Sequence, residues 1–409
     1  MTPAPGPVAP PPDGPVIEVD LAAIRANAGL LAAHAGVDLI AVVKADGYGH
    51  GMLEVARAAR AGGASWLAAA TPGEALALRA AGIEGRILCW LNTPETDWAA
   101  CLTADLDVTA YTVAELDAIA VAARACGVPA RVQLKVDTGL SRGGAARADW
   151  AALFARARAG EEQGTWRITG IWSHFACSDE PAHPANDLQE AAFVAAVDQA
   201  RATGLAPEIT HLANSAAAIL RPSARFDAVR CGIALYGLDP APGEATGIGL
   251  RPAMTVRAPL LMVKDLAAGE GVSYGHTWTT PTARTVGLVG LGYGDGIPRH
   301  ASGLPGLDGL PSGAAVAVAG VRRPILGRVC MDQFVVDLGP EQAARPEVGA
   351  EVVLFGPGDA GEPTAQDWAE ACGTINYEIV TRIGGRMTRI HLHDRPESHP
   401  ATDPRAEDA

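Results

Sequence analysis

Apolar positions follow two textures along this chain. Between about residues 37 and 232, short apolar runs alternate with longer Ala-rich stretches of helical period. The short runs predict strands over 38–44, 65–69, 86–91, 107–111, 130–137, 168–174, 208–212 and 227–231. Between them the pattern predicts helices over 51–61, 71–81, 112–126, 145–159 and 187–203. In the second of these, Thr71-Pro72-Gly73-Glu74 combines a capping Thr, a first-turn Pro and a Glu three residues on. Eight strands alternating with helices predict an α/β fold, a (β/α)8 barrel of the TIM type.

The texture changes after about residue 250. Strands dominate, over 255–263, 283–292, 315–319, 327–338 and 351–355, with two short helices near 364–372 and 375–382. This predicts a mostly β C-terminal domain over 251–392, following a barrel domain over 16–250 whose first strand, 16–19, is free to join the β sheet. A Pro-rich lead over 1–15 and a charged tail over 393–409 show no periodicity and are expected to be disordered and loose.

Composition narrows the partners. Acidic residues outnumber basic ones 46 to 32 in 409 residues, a net charge of −14, which argues against nucleic acid and anionic membrane surfaces. No apolar run approaches the roughly 18 residues of a membrane span. The N-terminus lacks the basic start and apolar core of a signal peptide. Seven scattered cysteines without a Cys-x-x-Cys pair read as reduced thiols of a cytoplasmic protein. The ten histidines show no ligand spacing except His391-x-His393, so no metal site is expected.

Only three of the 32 basic residues are lysines, and two of them, Lys44 and Lys135, fall at ends of barrel strands, where such folds place reactive groups. Arg cannot supply a deprotonatable amine. A lysine closing an apolar strand is desolvated, which favours the neutral amine and Schiff-base chemistry. From position alone, Lys44 reads equally as such a nucleophile or as an ordinary rim lysine before a Gly-rich turn. Other strand ends carry His174, Asn214-Ser215 and Arg230, with Gly232 just beyond. Ser215 and Gly232-Ile233 fall where barrels often hold phosphate, although helix capping explains Asn214-Ser215 as well. Three tyrosines, Tyr48, Tyr274 and Tyr293, stand directly before Gly and offer phenols for proton transfer or a place beside a turn.

Taken together, these segments resemble the alanine racemase family. The resemblance rests on Val43-Lys44-Ala45-Asp46-Gly47-Tyr48-Gly49-His50-Gly51, Lys135-Val136-Asp137-Thr138-Gly139-Leu140-Ser141-Arg142 and His211-Leu212-Ala213-Asn214-Ser215. It extends to Ser273-Tyr274-Gly275-His276-Thr277-Trp278, Arg328-Val329-Cys330-Met331-Asp332 and Asn376-Tyr377-Glu378, all in the family's order. It implies a cytoplasmic homodimer with shared active sites that uses pyridoxal 5'-phosphate to interconvert L- and D-alanine for peptidoglycan. Lys44 would carry the cofactor and act as one base, and Tyr274 of a second subunit would be the other. His174, His211 and Arg230 would serve the phenol and the pyridine nitrogen, and Tyr48, Ser215, Gly232, Ile233 and Tyr377 the phosphate. Arg142 and Met331 would bind the substrate carboxylate, and Lys135 matches a position carbamylated in the family. Asp179, Tyr293, Arg299, Arg328 and Ile375 would line the entrance. Two rivals remain: a racemase of broader specificity that takes serine, and a decarboxylase of the same plan. The decarboxylase would need a cysteine near the α-carbon and a Gly-rich phosphate loop, which the chain lacks.

Overall fold

The computed structural model describes residues 14–244, 246–304, 312–340 and 345–393. The lead at 1–13 and the tail at 394–409, expected to be disordered and loose, lie outside the described residues. After an opening strand β1 (Val16–Asp20), the barrel strands are β2 (Asp38–Val42), β3 (Trp66–Ala69), β4 (Arg86–Cys89), β5 (Asp107–Ala110), β6 (Ala130–Lys135), β7 (Trp166–Trp172), β8 (Ile209–His211) and β9 (Ala228–Cys231). They run β8-β7-β6-β5-β4-β3-β2-β9, with parallel ladders throughout. Backbone bonds from Asp227 N to Thr210 O (3.0 Å) and Arg230 N to Ala213 O (2.9 Å) bridge the seam between β8 and β9. The strands are almost wholly buried, which is why they read as continuous apolar runs rather than alternating ones. The fold is the expected TIM-like barrel followed by a mostly β domain.

Local sequence sets several helix starts. Helix Pro72–Ala80 begins with a capping box, Thr71 Oγ1 accepting from Glu74 N at 3.2 Å and Glu74 Oε2 from Thr71 N at 3.0 Å. Helix Trp150–Glu162 starts later than the pattern predicts. The chain after β6 loops out and returns, with Asp137 N donating to Ala145 O (2.9 Å) and Ala145 N to Lys135 O (2.8 Å). That return folds the loop bearing Arg142 back over the strand end. Helix Leu21–Ala35, capped by Asp20, was not predicted: its Ala-rich surface is apolar on most sides and shows little period.

The second domain contains β10 (Met254–Leu266), β11 (Gly271–Val272), β12 (Trp278–Thr279), β13 (Arg284–Val289), β14 (Ala315–Val318), β15 (Val321–Leu326), β16 (Phe334–Pro340), β17 (Glu351–Phe355) and β18 (Thr388–Leu392). The ladder β13-β16-β15-β14-β17-β10 returns to β13, because the 13-residue β10 is long enough to pair with both β17 and β13. Strand β1 continues this sheet, antiparallel to β10 and parallel to β18. The strand expected over 327–338 is corrected to a loop over 327–333 followed by β16, and β15 before it is an unexpected strand. Gly327 opens that loop at φ 65°, and Cys330 N turns back to Gln333 O (2.9 Å), so pairing begins only at Phe334; Pro324 inside β15 disguises that strand as a turn. The two-stranded pair β11–β12 carries Tyr274 on its tip.

Candidate active site

Lys44 follows β2 and opens a short left-handed turn. Ala45, Asp46, Gly47 and Tyr48 have φ of 52, 51, 62 and 52°. A left-handed conformation costs roughly 1–2 kcal/mol for each residue with a side chain, so outside contacts must hold it. Glu74 Oε1 accepts from Ala45 N at 2.7 Å, which ties the turn to the capping box. Asp46 accepts from Met52 N (3.0 Å) and pairs with Arg389 of β18 (2.7 Å). Burial, aided by the Arg142 charge and opposed by Glu74, lowers the Lys44 pKa from its ordinary value. The amine is therefore more nucleophilic at neutral pH than a surface lysine.

A cavity of about 460 Å³ opens above the strand ends, lined by Val42, Lys44, Ala45, Tyr48, Trp90, Lys135, Arg142, Trp172, His174, Asn214, Ser215, Arg230, Gly232, Ile233, Tyr377 and Thr381. Among the described residues, four cationic side chains line it and no carboxylate does. In a chain of net charge −14 this is a local pit of positive charge.

In-register pairing lines up Lys135, Trp172 and His211 across β6, β7 and β8. The Trp172 ring stacks on His211 (5.7 Å, 9°), and Lys135 Nζ lies 4.6 Å and Arg230 Cζ 4.8 Å from its centre. Arg230 is buried and donates from Nη1 to His211 Nδ1 (2.8 Å) and His211 O (3.1 Å). Its Nη2 reaches Ser173 O (2.6 Å), Leu212 O (3.0 Å) and His174 Nδ1 (3.1 Å). A guanidinium only donates, so both histidines accept at Nδ1 and carry their proton on Nε2. His211 passes that proton's bond to Gln133 Oε1 at 2.7 Å. Gly170 makes room for this amide, since a Cβ there would lie 2.7 Å from Gln133 Cδ. Burial, then the Arg230 charge, pushes both histidines well below their ordinary range, so they stay neutral. Burial also pushes Arg230 down to about 9, still protonated near pH 7. Its Nε–H has no partner among the described residues and remains for a ligand in the cavity.

Ser215, Gly232 and Tyr48 meet at another part of the cavity lining. Ser215 Oγ accepts from Gly232 N (3.0 Å) and Ala234 N (3.4 Å), and Asn214 caps the helix Ser215–Leu220. A Cβ on Gly232 would fall 2.3 Å from the Tyr48 hydroxyl, so only Gly lets that phenol reach the spot. Burial raises the pKa values of Tyr48 and Tyr377 above the ordinary phenol range, which keeps both hydroxyls as donors. Lys135 has burial as its main perturbation, with Arg230 and Arg142 adding, and is pushed down to about 8.

The structure thus brings together Lys44, Tyr48, Lys135, Arg142, His174, Ser215, Arg230, Gly232, Ile233 and Tyr377 around one cavity, with His211 behind Arg230. Tyr274 and Met331 are not among its lining residues. They stand 70% and 54% exposed on the β domain and line a separate shallow pocket together. Tyr293 lies beside them, its N bonded to Cys330 O (3.0 Å). Arg328 stands against the Tyr274 turn, its Nη1 3.1 Å from where a Gly275 Cβ would be, and Arg299 begins the short turn Arg299–Ala301. Asp179 and Ile375 line a neighbouring cavity of about 250 Å³ that shares Asn214 and Tyr377 with the first. Sequence reading missed Trp90, Trp172, Gln133 and Thr381. Trp172 and Gln133 each lie two residues before a chosen one, His174 and Lys135, and strand alternation offered that signal.

Two family models together span most of the chain. One for the alanine racemase N-terminal domain matches residues 19–240, and one for the C-terminal domain matches residues 253–391. An alanine racemase of Streptomyces coelicolor is 54% identical over 385 residues, covering 92% of this chain and 95% of that protein. The crystal structure of alanine racemase from D-cycloserine-producing Streptomyces lavendulae is 50% identical, covers 94% of this chain and 98% of its own, and superposes with a TM-score of 0.88. A Bacillus anthracis alanine racemase with bound L-Ala-P is 33% identical, with a TM-score of 0.82, covering 93% of this chain and 95% of its own. The fold and site therefore define an amino-acid racemase, an isomerase built on a barrel and a β domain. Within that class the chain belongs to the alanine racemase family, and it interconverts L- and D-alanine.

Proposed function

We propose that the cavity holds pyridoxal 5'-phosphate and alanine, and that two copies of the chain complete each site. The observation that carries this reading is the cavity itself, with four cations, no carboxylate and a lysine whose amine is biased toward neutrality. A phosphate and a substrate carboxylate supply the anions such a lining demands. The Tyr48 and Tyr377 hydroxyls and the Gly232-Ile233 segment fit the phosphate, and the Arg230 Nε–H fits the pyridine nitrogen. Arg142, with Met331 of the second copy, fits the substrate carboxylate. Lys135 has no carboxylate partner among the described residues and is buried beside Arg142. Its neutral amine adds carbon dioxide and loses a proton to give a carbamate, whose anion steadies Arg142.

Bound pyridoxal 5'-phosphate supplies a carbonyl carbon for amines and a conjugated ring that accepts the electron pair left on the α-carbon. The chain's own groups move the protons. One base removes the α-proton from one face of a flat carbon while the other returns a proton on the opposite face. Lys44 serves one face and Tyr274 of the second copy the other, with roles exchanged when the reaction reverses. His174 holds the phenol, and its Nδ1 is committed to Arg230. The exposed Tyr274, Met331 and Tyr293 on one face of the β domain support a second copy as the covering surface. The D-alanine formed serves peptidoglycan synthesis in the cytoplasm.

Holoenzyme reduced with borohydride and cleaved for peptide mapping tests the assignment of the amine. The reading expects loss of the visible band and of activity, with the pyridoxyl group on Lys44. A label on Lys135, the other buried lysine, would contradict it.

A further inference from the structure

One buried imidazole takes no part in the chemistry above. His50 is fully buried, six residues after Lys44. Its Nδ1 lies 2.9 Å from Tyr48 O and 3.1 Å from Gly47 O. Both are carbonyls, so Nδ1 must carry the proton and donate to the pair. The other ring nitrogen, Nε2, is buried without a partner among the described residues. Such a lone pair has no bond to repay its desolvation, and a structure keeps it only where the other nitrogen is needed.

What Nδ1 holds is the left-handed turn. Gly47 and Tyr48 are its last two residues, and a run of this hand is not self-supporting in an L-chain. The His50 ring also packs 4.5 Å from the ring of Tyr236, whose hydroxyl donates to Val42 O (3.0 Å), two residues before Lys44. His391 of β18 bonds His50 O at 2.8 Å and fixes the imidazole's own backbone. The segment is thus braced on both sides of Lys44 by one tilted ring pair. The same turn aims the Tyr48 hydroxyl at Gly232, 2.3 Å from where a Cβ would stand.

We propose that His50 is a positioning residue: its Nδ1–H clamps the left-handed turn that sets the Lys44 amine and the Tyr48 hydroxyl against the cofactor. The inference rests on the cofactor reading above. Burial pushes the imidazole down to about 4, against the two backbone bonds, so the clamp stays neutral and intact through the physiological range.

Two amides separate clamping from space filling. In His50→Asn the amide nitrogen falls where Nδ1 was, and in His50→Gln it falls one bond further out. With full-length holoenzyme, His50→Asn should release pyridoxal 5'-phosphate within about twofold of the unchanged protein, while His50→Gln releases it roughly tenfold faster, the worth of one lost buried bond. The visible band of the bound cofactor should keep its pH dependence in the Asn variant and shift in the Gln variant. Equal behaviour of the two variants overturns the proposal. Should neither fold, ring-nitrogen NMR of the unchanged holoenzyme decides: a proton on Nδ1 from pH 5 to 8 supports the clamp, and a proton on Nε2 overturns it. If the unchanged chain binds no cofactor at all, the cofactor reading itself fails and takes the clamp with it. Equal variants of a chain that does bind cofactor remove only the clamp.

Discussion

Lys44→Arg is expected to lower alanine racemisation by about 10⁴-fold, the upper end of what a positioned proton carrier contributes. The substitution keeps a cation at the end of β2, so the positive character of the cavity survives. What it removes is the deprotonatable amine, because a guanidinium stays charged. Burial and the Arg142 charge lower the pKa of this amine, and that effect is wasted on Arg. Lys44→Ala should lose as much activity, and a small primary amine added to the assay should restore part of it by diffusing into the vacated space. Steady-state turnover with and without methylamine checks both. Undiminished activity in Lys44→Arg would remove the lysine from the mechanism.

Tyr274→Phe should cost about 10²–10³-fold in racemisation while the holoenzyme keeps its visible colour. The phenol stands 70% exposed on the tip of β11–β12 and is not among the residues that line the Lys44 cavity of its own chain, so its loss should leave cofactor binding alone. It also leaves one face of the substrate served. In heavy water, one alanine enantiomer should still exchange its α-hydrogen through Lys44, with configuration retained, and the other should not. NMR of the two enantiomers incubated separately reads this asymmetry. Equal exchange from both would mean that a single base reaches both faces.

The barrel was legible because its strands are buried on both faces, so each reads as an uninterrupted apolar run set between capped helices. Thr71-Pro72-Gly73-Glu74 shows how far local chemistry carries: the same Glu74 that closes the capping box also anchors Ala45 beside the reactive lysine. The second half of that fact is tertiary and left no mark in the pattern. The β domain was harder. Pro324 hid β15, the turn opened by Gly327 took up the first half of a run read as strand, and β18 pairs only because β1, more than 360 residues away, returns to it. At the site, several cavity-lining residues were visible as odd types at strand ends: a rare lysine, a histidine, an arginine after an apolar run. Those that orient them were not. Gln133, Trp172 and Gly170 look like ordinary strand residues until the register of β6, β7 and β8 sets them beside His211 and Arg230. His50 lies inside a Gly-rich motif of the sequence, but its task is readable only where its Nδ1 faces two carbonyls of a left-handed turn.

Subunit complementation tests the sharing of sites between copies most directly. Lys44→Ala and Tyr274→Phe chains, each nearly inert alone, are mixed, dissociated and allowed to reassociate. In a hybrid, one site receives Lys44 from the Tyr274→Phe chain and Tyr274 from the Lys44→Ala chain, and the other site receives neither. Random pairing makes half the dimers hybrid with one working site of two, so the mixture should recover about a quarter of full activity. Activity no greater than the sum of the two parents would show that each chain builds its site alone, and the account would be wrong at its centre.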